Sequence, residues 1–285
     1  MLKVAVVILN WNGKELLEKF LPSVLSYSGI PSVSVYIADN CSDDNSVDYI
    51  RYNHPEAHII ILDRNYGFAG GYNRALKQIE AQYYVLLNSD VEVTEGWLDP
   101  MIELLDNNSD IAACMPKILS YQDREIFEYA GAAGGFIDKY GFTFCRGRIF
   151  NVFEKDENQY NNDAHIFWAT GACLFIRADM FHTSGGLDDR FFAHMEEIDL
   201  CWRLKNRGKS IVYCAGSKVY HLGGGTLNKT NPRKTYLNFR NNLFLLYKNA
   251  QPKTAFRIII TRLFLDMIAG LKFLVGLEFK NFISV

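Results

Sequence analysis

Apolar and polar positions fall into blocks of changing period along the first hundred residues. Residues 3–9 form a β-branched apolar run, and Leu16, Leu17, Phe20, Leu21 and Val24 follow at helical spacing. Residues 33–38 repeat the strand pattern, after which Ser42, Asp43 and Asp44 read as the start of a second helix. A third strand is predicted over 58–62, a glycine-rich turn then leads into a helix over 72–81, and 83–87 predicts a fourth strand. Strands and helices alternating at this spacing predict βαβ units, hence an α/β, Rossmann-like fold with a mainly parallel central sheet flanked by helices. Function in such sheets gathers at the carboxyl ends of the strands.

The pattern continues as helix then strand over 97–117 and loses its period over 125–159, where glycine, aromatic and polar residues mix as in a mobile active-site loop. Residues 164–176 predict a strand, 198–206 a helix, 210–213 and 218–220 two more strands, and 235–247 a helix ahead of Pro252. The last segment, 254–285, is apolar but carries Arg257, Arg262, Asp266 and Lys272, too many charges for a membrane span. Phe256, Ile259, Leu263, Met267, Gly270, Leu274 and Leu277 share one charge-free helical face. That predicts a C-terminal amphipathic helical tail lying on a membrane surface, on its own domain, or against a second copy in a homodimer. The ending, without a polar cap, reads as one continued by further chain.

With 49% hydrophobic residues among 285, the chain can bury a sizeable core. Its net charge of −2 conceals an asymmetry: ten basic and two acidic residues fall at or after His221, a net of +8, which leaves −10 for the rest. A basic, apolar tail on an acidic body suits an anionic membrane surface. Nucleic acid is excluded as a partner, because the basic residues lie in that tail and not in an aromatic-studded groove. The six cysteines are scattered without a C-x-x-C pair, which fits reduced thiols in the cytoplasm. The first residues lack the parts of a secretory signal.

Candidate chemistry sits after the strands. Asn10-Trp11-Asn12-Gly13 follows the first. Asp39, after the second, can accept hydrogen bonds from a nucleobase or ribose, or cap the next helix. Arg64 and Asn65 lead into a run holding Gly70, Gly71 and Asn73, where a helix starting near Gly71 would point N–H groups at an anion. Asn88-Ser89-Asp90 follows the fourth strand. An acid there needs a partner, and Mg²⁺ or Mn²⁺, which takes one or two carboxylates plus phosphate oxygens, is a natural one. Glu196, Glu197 and Asp199 follow an aromatic stretch, and shielded neighbouring carboxylates suit a general base. His221 precedes Gly223-Gly224-Gly225 and can ligate the same cation, contact a diphosphate, or be a core histidine.

These segments in this order resemble the inverting glycosyltransferases of family 2, with the GT-A fold, and among them the rhamnosyltransferase-like branch. The segments are VVILNWNG, IADNCSDD, RNYGFAGGYNRAL, LLNSDVEV, ATGACLFIRADMF, FFAHMEEIDLCWRLKNRG and HLGGGT. The resemblance implies a GT-A domain over 1–225, with a nucleotide-binding half (1–95) and an acceptor half (96–225), followed by the basic tail over 226–285. It implies a metal-dependent transferase moving rhamnose or another hexose from a nucleotide-sugar to a saccharide or lipid-linked acceptor, in cell-surface polysaccharide synthesis at the cytoplasmic face of the inner membrane.

Asn10, Asn12, Asp39, Arg64, Asn65, Gly70, Gly71, Asn73, Asn88 and Asp90 would then hold the donor. Asp90 and His221 would hold Mg²⁺ or Mn²⁺, Trp168, Gly171 and Ala172 would line the acceptor, and Glu197 would be the base, with Glu196 the alternative. Asn88 stands where the family carries the first acid of its D-x-D element. The rival classes are a sugar nucleotidyltransferase and a catalytically silent nucleotide-binding scaffold.

Overall fold

A computed structural model of the chain describes residues 2–150, 152–223, 232–276 and 279–284. Gly224, Gly225, Thr226 and Leu277, and with them the expected domain boundary, lie outside the described residues. The expected alternation is present: β1 (Leu2–Asn10), α1 (Lys14–Ser28), β2 (Val33–Asp39), α2 (Ser46–Asn53), β3 (His58–Ile61), α3 (Gly67–Leu76) and β4 (Ala81–Leu87). Then come β5 (Val91–Val93), α4 (Asp99–Asn107) and β6 (Ile111–Ser120). The chain continues through β7 (Gly135–Ile137), β8 (Thr143–Cys145), β9 (Arg148–Ile149), β10 (Val152–Phe153), β11 (Ala164–Ile166) and β12 (Cys173–Arg177). It ends with α5 (Ala178–Thr183), α6 (Glu196–Asn206), β13 (Ser210–His221), α7 (Pro232–Asn249), α8 (Pro252–Val275) and α9 (Phe279–Ile283).

One nine-stranded sheet runs in the order β11-β13-β6-β12-β4-β1-β2-β3, with β5 also on β13. Strands β1 to β4 pair in parallel, as do β6 and β13, whereas β5, β11 and β12 run antiparallel to their neighbours. The centre of β1, Val4 to Ile8, is buried on both faces, which is why it reads as a continuous apolar run instead of an alternating one.

Three expectations change. The segment over 164–176 is two strands, β11 and β12, separated by a turn through Trp168 and Gly171. The two strands expected over 210–220 are one, β13, with a bulge between Cys214 and Lys218. The aperiodic segment over 125–159 is built into two short antiparallel pairs, β7–β8 and β9–β10. Its order comes from packing that leaves no period: the Phe136 and Phe144 rings stack at 5.7 Å, and a side chain at Gly135 would strike the Trp168 indole.

The tail is helical, as expected. Helix α8 turns Ala255, Arg262, Asp266 and Gly270 inward and leaves Phe256, Leu263, Phe264, Met267 and Leu271 exposed. The inward charges are satisfied. Arg262 bonds Asp266 at 3.2 Å and Asn242 of α7, and its guanidinium lies 3.7 Å from the Phe142 ring centre. The face expected to be apolar is therefore largely a face open to its surroundings. Among the described residues no helix is long and apolar enough to cross a membrane.

Candidate active site

Asn10 and Asp39 end β1 and β2 side by side. The Asn10 amide donates to Asp39 (3.1 Å), Ser42 (3.1 Å) and Ser46 (2.9 Å), and Asp39 also accepts the Ser42 N–H at 2.9 Å. Helix α2 begins only at Ser46, so Asp39 ties the two strand ends together and does not cap that helix. Asn12 completes the stitch: its N–H donates to Ser42 and its side-chain oxygen accepts from Asp43. Among the described residues, the buried Asn10 Oδ1 has no hydrogen-bond partner.

The third cluster differs from expectation. Helix α3 starts at Gly67, so Gly70 and Gly71 lie inside it and offer no free N–H groups at its start. A Cβ on Gly71 would fall 2.7 Å from Leu9 Cδ1, so its glycine serves close packing of α3 on β1. Asn73 does not join the strand ends either. Its amide donates to Leu187 O (2.7 Å) and Asp189 (2.8 Å) and accepts from Leu187 N (2.9 Å), beside an open cavity of about 430 Å³. Asn65 accepts from Asn40 and Gly67, while exposed Arg64 lies over the Tyr66 ring at 4.7 Å.

Asp90 is buried just past β4, and His221, at the end of β13, meets it: Nε2 lies 3.1 Å from Oδ1. On the other side of the ring Nδ1 lies 3.1 Å from Glu128, a buried carboxylate that also accepts the Ala130 N–H. Burial pushes the imidazole pKa down, but the two carboxylates outweigh it and raise the pKa to about 10. Burial also pushes Asp90 up, yet the His221 contact and backbone N–H groups hold its carboxyl below the ordinary value. Breaking one side of such a buried pair costs about 3–5 kcal/mol.

An oxygen ligand and an imidazole at a strand end suit Mg²⁺ or Mn²⁺ completed by phosphate and water, with the cation displacing the ring proton that the two carboxylates otherwise hold on His221. Among the described residues no group of three or more His, Cys, Asp or Glu forms a cage, so Asp90 and His221 could hold such an ion only with ligands from elsewhere.

Asn88 joins this side to the other: its N–H donates to Ala172 O at 3.0 Å. Next to Ala172, Gly171 lies against the Glu197 carboxyl: a Cβ on Gly171 would fall 3.8 Å from the Glu197 carboxyl carbon and 3.3 Å from the Phe68 ring. Trp168 is fixed by its indole N–H on Phe136 O at 2.9 Å. Glu196 and Glu197 open α6; Glu196 is buried and Glu197 half-buried. Burial raises both carboxyls, and the neighbouring Glu197 raises Glu196 further. Each has one buried oxygen without a hydrogen-bond partner among the described residues. A half-buried carboxylate with a raised pKa and a spare oxygen is equipped to accept a proton.

Residues 5–184 match Glycosyl transferase family 2. The chain belongs to this family. It is 26% identical over 232 residues to the N-acetylglucosaminyl-diphospho-decaprenol L-rhamnosyltransferase of Mycobacterium tuberculosis, covering 76% of this chain and 75% of that one. Its fold is that of solved GT-A glycosyltransferases. GalNAc-T7, solved with UDP, GalNAc and Mn²⁺, superposes with a TM-score of 0.64 at 14% identity, over 84% of this chain and 47% of that one. A mannosyltransferase of Pyrobaculum calidifontis, solved with GDP-Man and Mn²⁺, gives 0.58 at 12% identity, over 90% and 68%. The expected family, fold and enzyme class hold: the chain is a GT-A glycosyltransferase.

Sequence reasoning missed Glu128, which lies in the aperiodic segment, and the frame that carries α6 in this glycosyltransferase. Asp199, fully buried, receives Arg203 (2.8 Å), Lys248 (2.8 Å) and Asn249 (2.8 Å), and Lys248 bridges on to Asp188 at 2.7 Å. Helix α7 is thus bonded on both sides of Glu196, to Asp188 before it and to Asp199 after it. The Asp188 carboxyl is held well below the usual range by Arg190 foremost and by Lys248, against the opposing effect of burial. A depressed carboxyl contributes stability that is present above its ordinary pKa of about 4 and is lost as pH falls toward its folded value. Asp188→Asn is therefore expected to lower Tm at pH 7, with the gap from wild type closing below about pH 4. Thermal unfolding across that range checks it, and a constant gap would refute the charged role.

Proposed function

We propose that this glycosyltransferase transfers rhamnose or another hexose, with inversion, from a nucleoside-diphosphate sugar to a lipid-linked saccharide in cell-surface polysaccharide assembly. The observation that carries the reading is the link from Asn88 through Ala172 and Gly171 to Glu197. In this reading it sets a proton-accepting carboxylate beside the end of β4, where Asp90 and His221 converge.

In this reading the Asn10–Asn12 turn and Asp39 hold the nucleoside, Arg64 and Asn65 border the donor, and the Trp168–Ala172 turn borders the acceptor. Asp90 and His221 hold Mg²⁺ or Mn²⁺ together with the diphosphate, and Glu128 fixes the imidazole ring from behind. The cation neutralises charge on the diphosphate. Glu197 takes the proton of the acceptor hydroxyl as that oxygen bonds to the sugar's anomeric carbon. The bond to the diphosphate breaks, and its electron pair leaves with the phosphate oxygen. The name of the mycobacterial relative supports a rhamnose donor and an N-acetylglucosaminyl-diphospho-polyprenol acceptor. Mn²⁺ in the solved neighbours supports the cation.

The tail supports a site at an anionic membrane surface, on its cytoplasmic face. The exposed charges of α8 are Lys253, Arg257 and Lys272, all basic, beside the outward Phe256, Leu263, Phe264 and Met267. The one acid of α8, Asp266, is turned inward to Arg262. A helix with basic and apolar groups both facing out suits an interfacial position.

Glu197→Gln is expected to lower kcat by about 10²–10⁴ with nucleotide binding intact. The assay is turnover of dTDP-L-rhamnose, and of UDP- and GDP-sugars, with an N-acetylglucosaminyl-diphospho-lipid and Mn²⁺. Near-normal turnover would sink the base assignment. Burial raises the Glu197 carboxyl, so the active, ionised base disappears on acidification at a pH above the ordinary carboxylate range, and kcat/KM should fall there.

Asp90→Ala should abolish the Mn²⁺ dependence of UDP binding in calorimetry. Glu128→Ala should weaken it about 10–100-fold, with Glu128→Gln milder because its amide oxygen still lies against the ring nitrogen. Unchanged Mn²⁺-dependent binding in all three would refute the site.

Flotation with phosphatidylglycerol vesicles should recover the wild-type chain and lose the variant carrying Leu263→Glu, Met267→Glu and Leu271→Glu. Equal recovery, or a dimer dissolved by the same changes, would refute the membrane role.

A further inference from the structure

The segment that delivers Glu196 and Glu197 has an uncommon backbone. Phe192 has φ 65° and ψ −58°, and the Ala193 N–H donates back to Phe191 O at 2.8 Å. This is a γ-turn of the rare sense. His194 (φ 71°) and Met195 (φ 75°) follow, also left-handed, and none of the three is glycine. Such conformations persist only where surrounding structure over-determines them.

The surrounding structure is helix α7. Asn241, fully buried, donates from its amide nitrogen to Phe191 O (3.0 Å), Ala193 O (2.8 Å) and His194 O (2.7 Å). Its oxygen accepts from Arg240 Nε (2.9 Å) and Nη2 (2.7 Å), and Arg240 Nη2 also reaches Arg190 O and Phe191 O. One residue on, Asn242 donates to Gly141 O and lies 3.9 Å from Met195 Sδ. The carbonyls exposed by the turn thus converge on a single side chain that donates on one side and accepts from a guanidinium on the other. An aspartate there would present only acceptors to three carbonyls.

We propose that Asn241, backed by Arg240, is a positioning residue for the catalytic carboxylates. It holds the 191–195 turn in the shape that aims Glu197 at the acceptor hydroxyl, and so makes α7 part of the catalytic apparatus. This rests on the reading of Glu197 as the base.

The test uses the full chain with Asn241→Ala, Asn241→Asp and, as a milder change, Arg240→Gln. It measures kcat and donor KM in the dTDP-L-rhamnose assay, UDP–Mn²⁺ affinity by calorimetry, and amide exchange over 192–197. The expected result for the Asn241 variants is a kcat at least tenfold lower, nucleotide affinity within about twofold of wild type, and faster exchange confined to that turn. Arg240→Gln should shift each readout in the same direction and by less.

A purely structural role would lower Tm and scale nucleotide binding and turnover together through the folded fraction. That outcome overturns the proposal, as does wild-type exchange at the turn. If Glu197→Gln is inactive while Asn241→Ala keeps wild-type kcat, the positioning role falls and the base assignment stands. If Glu197→Gln stays active, the base assignment falls, and the exchange readout still decides whether Asn241 shapes the turn.

Discussion

A buried carboxylate at the end of an apolar strand must be met by a partner, and the contact between Asp90 and His221 meets that demand. Much of the architecture follows from bringing these two groups together. Asp90 belongs to the parallel half of the sheet and His221 to the far end of β13, 131 positions later. The bulge between Cys214 and Lys218 sets the register in which β13 pairs first with the start of β6 and then with its end, where His221 lies opposite Ser120. Strand β5, just after Asp90, pairs with the same end of β13, so the two residues are held by backbone ladders as well as by their own contact. Glu128 then closes the imidazole from behind, and the ring is left one edge with which to face Asp90 and whatever binds there.

The acceptor side is built by a different means. Its groups do not sit on strand ends in a ladder; they sit on turns that other parts of the chain hold. Ala172 is fixed by the Asn88 N–H, Gly171 lies against the Glu197 carboxyl, and the turn before Glu196 is fixed by α7. Loops carry specificity because they vary without disturbing the sheet. Here the loops are nonetheless over-determined, with buried hydrogen bonds at each corner. That fits a site in which a displacement of about 1 Å in the base would cost much of the rate.

What was legible in the sequence follows the same division. Asn10, Asp39 and Asp90 stood out because β1, β2 and β4 are apolar runs that stop abruptly at a polar residue, a signal that one strand carries alone. Asn73 and Gly71 were singled out on the glycine-rich run after β3, and the structure shows a packing role for each, since a polar or glycine residue after a strand can serve packing as well as a ligand. Asn73 spends its amide on Leu187 and Asp189, and Gly71 makes room for Leu9. Glu128 was illegible because its meaning depends on His221, 93 positions away, and nothing local marks it. Asn241 did carry a local signal. It falls between Leu237 and Leu245 at steps of four, on the buried face of α7, and a polar residue on a buried face needs dedicated partners.

The tail shows how far a periodicity argument reaches and where it stops. The spacing of apolar residues in α8 identified a helix, which is present, and a shared face of which Phe256, Leu263 and Met267 are exposed while Gly270 is turned inward. It could not say which face the protein would take, because the usual rule assumes that the apolar face packs inward. In α8 the inward stripe contains Arg262 and Asp266, and it is admitted because Asn242 and the Phe142 ring complete the guanidinium's contacts. Directional bonds of this kind fix the rotation of a helix about its axis more tightly than apolar contact does, since rolling α8 by one position would break them. The same Asn242 lies against Met195, the residue before Glu196. The orientation of the outward apolar surface and the shape of the catalytic turn are therefore set by neighbouring residues on one face of α7.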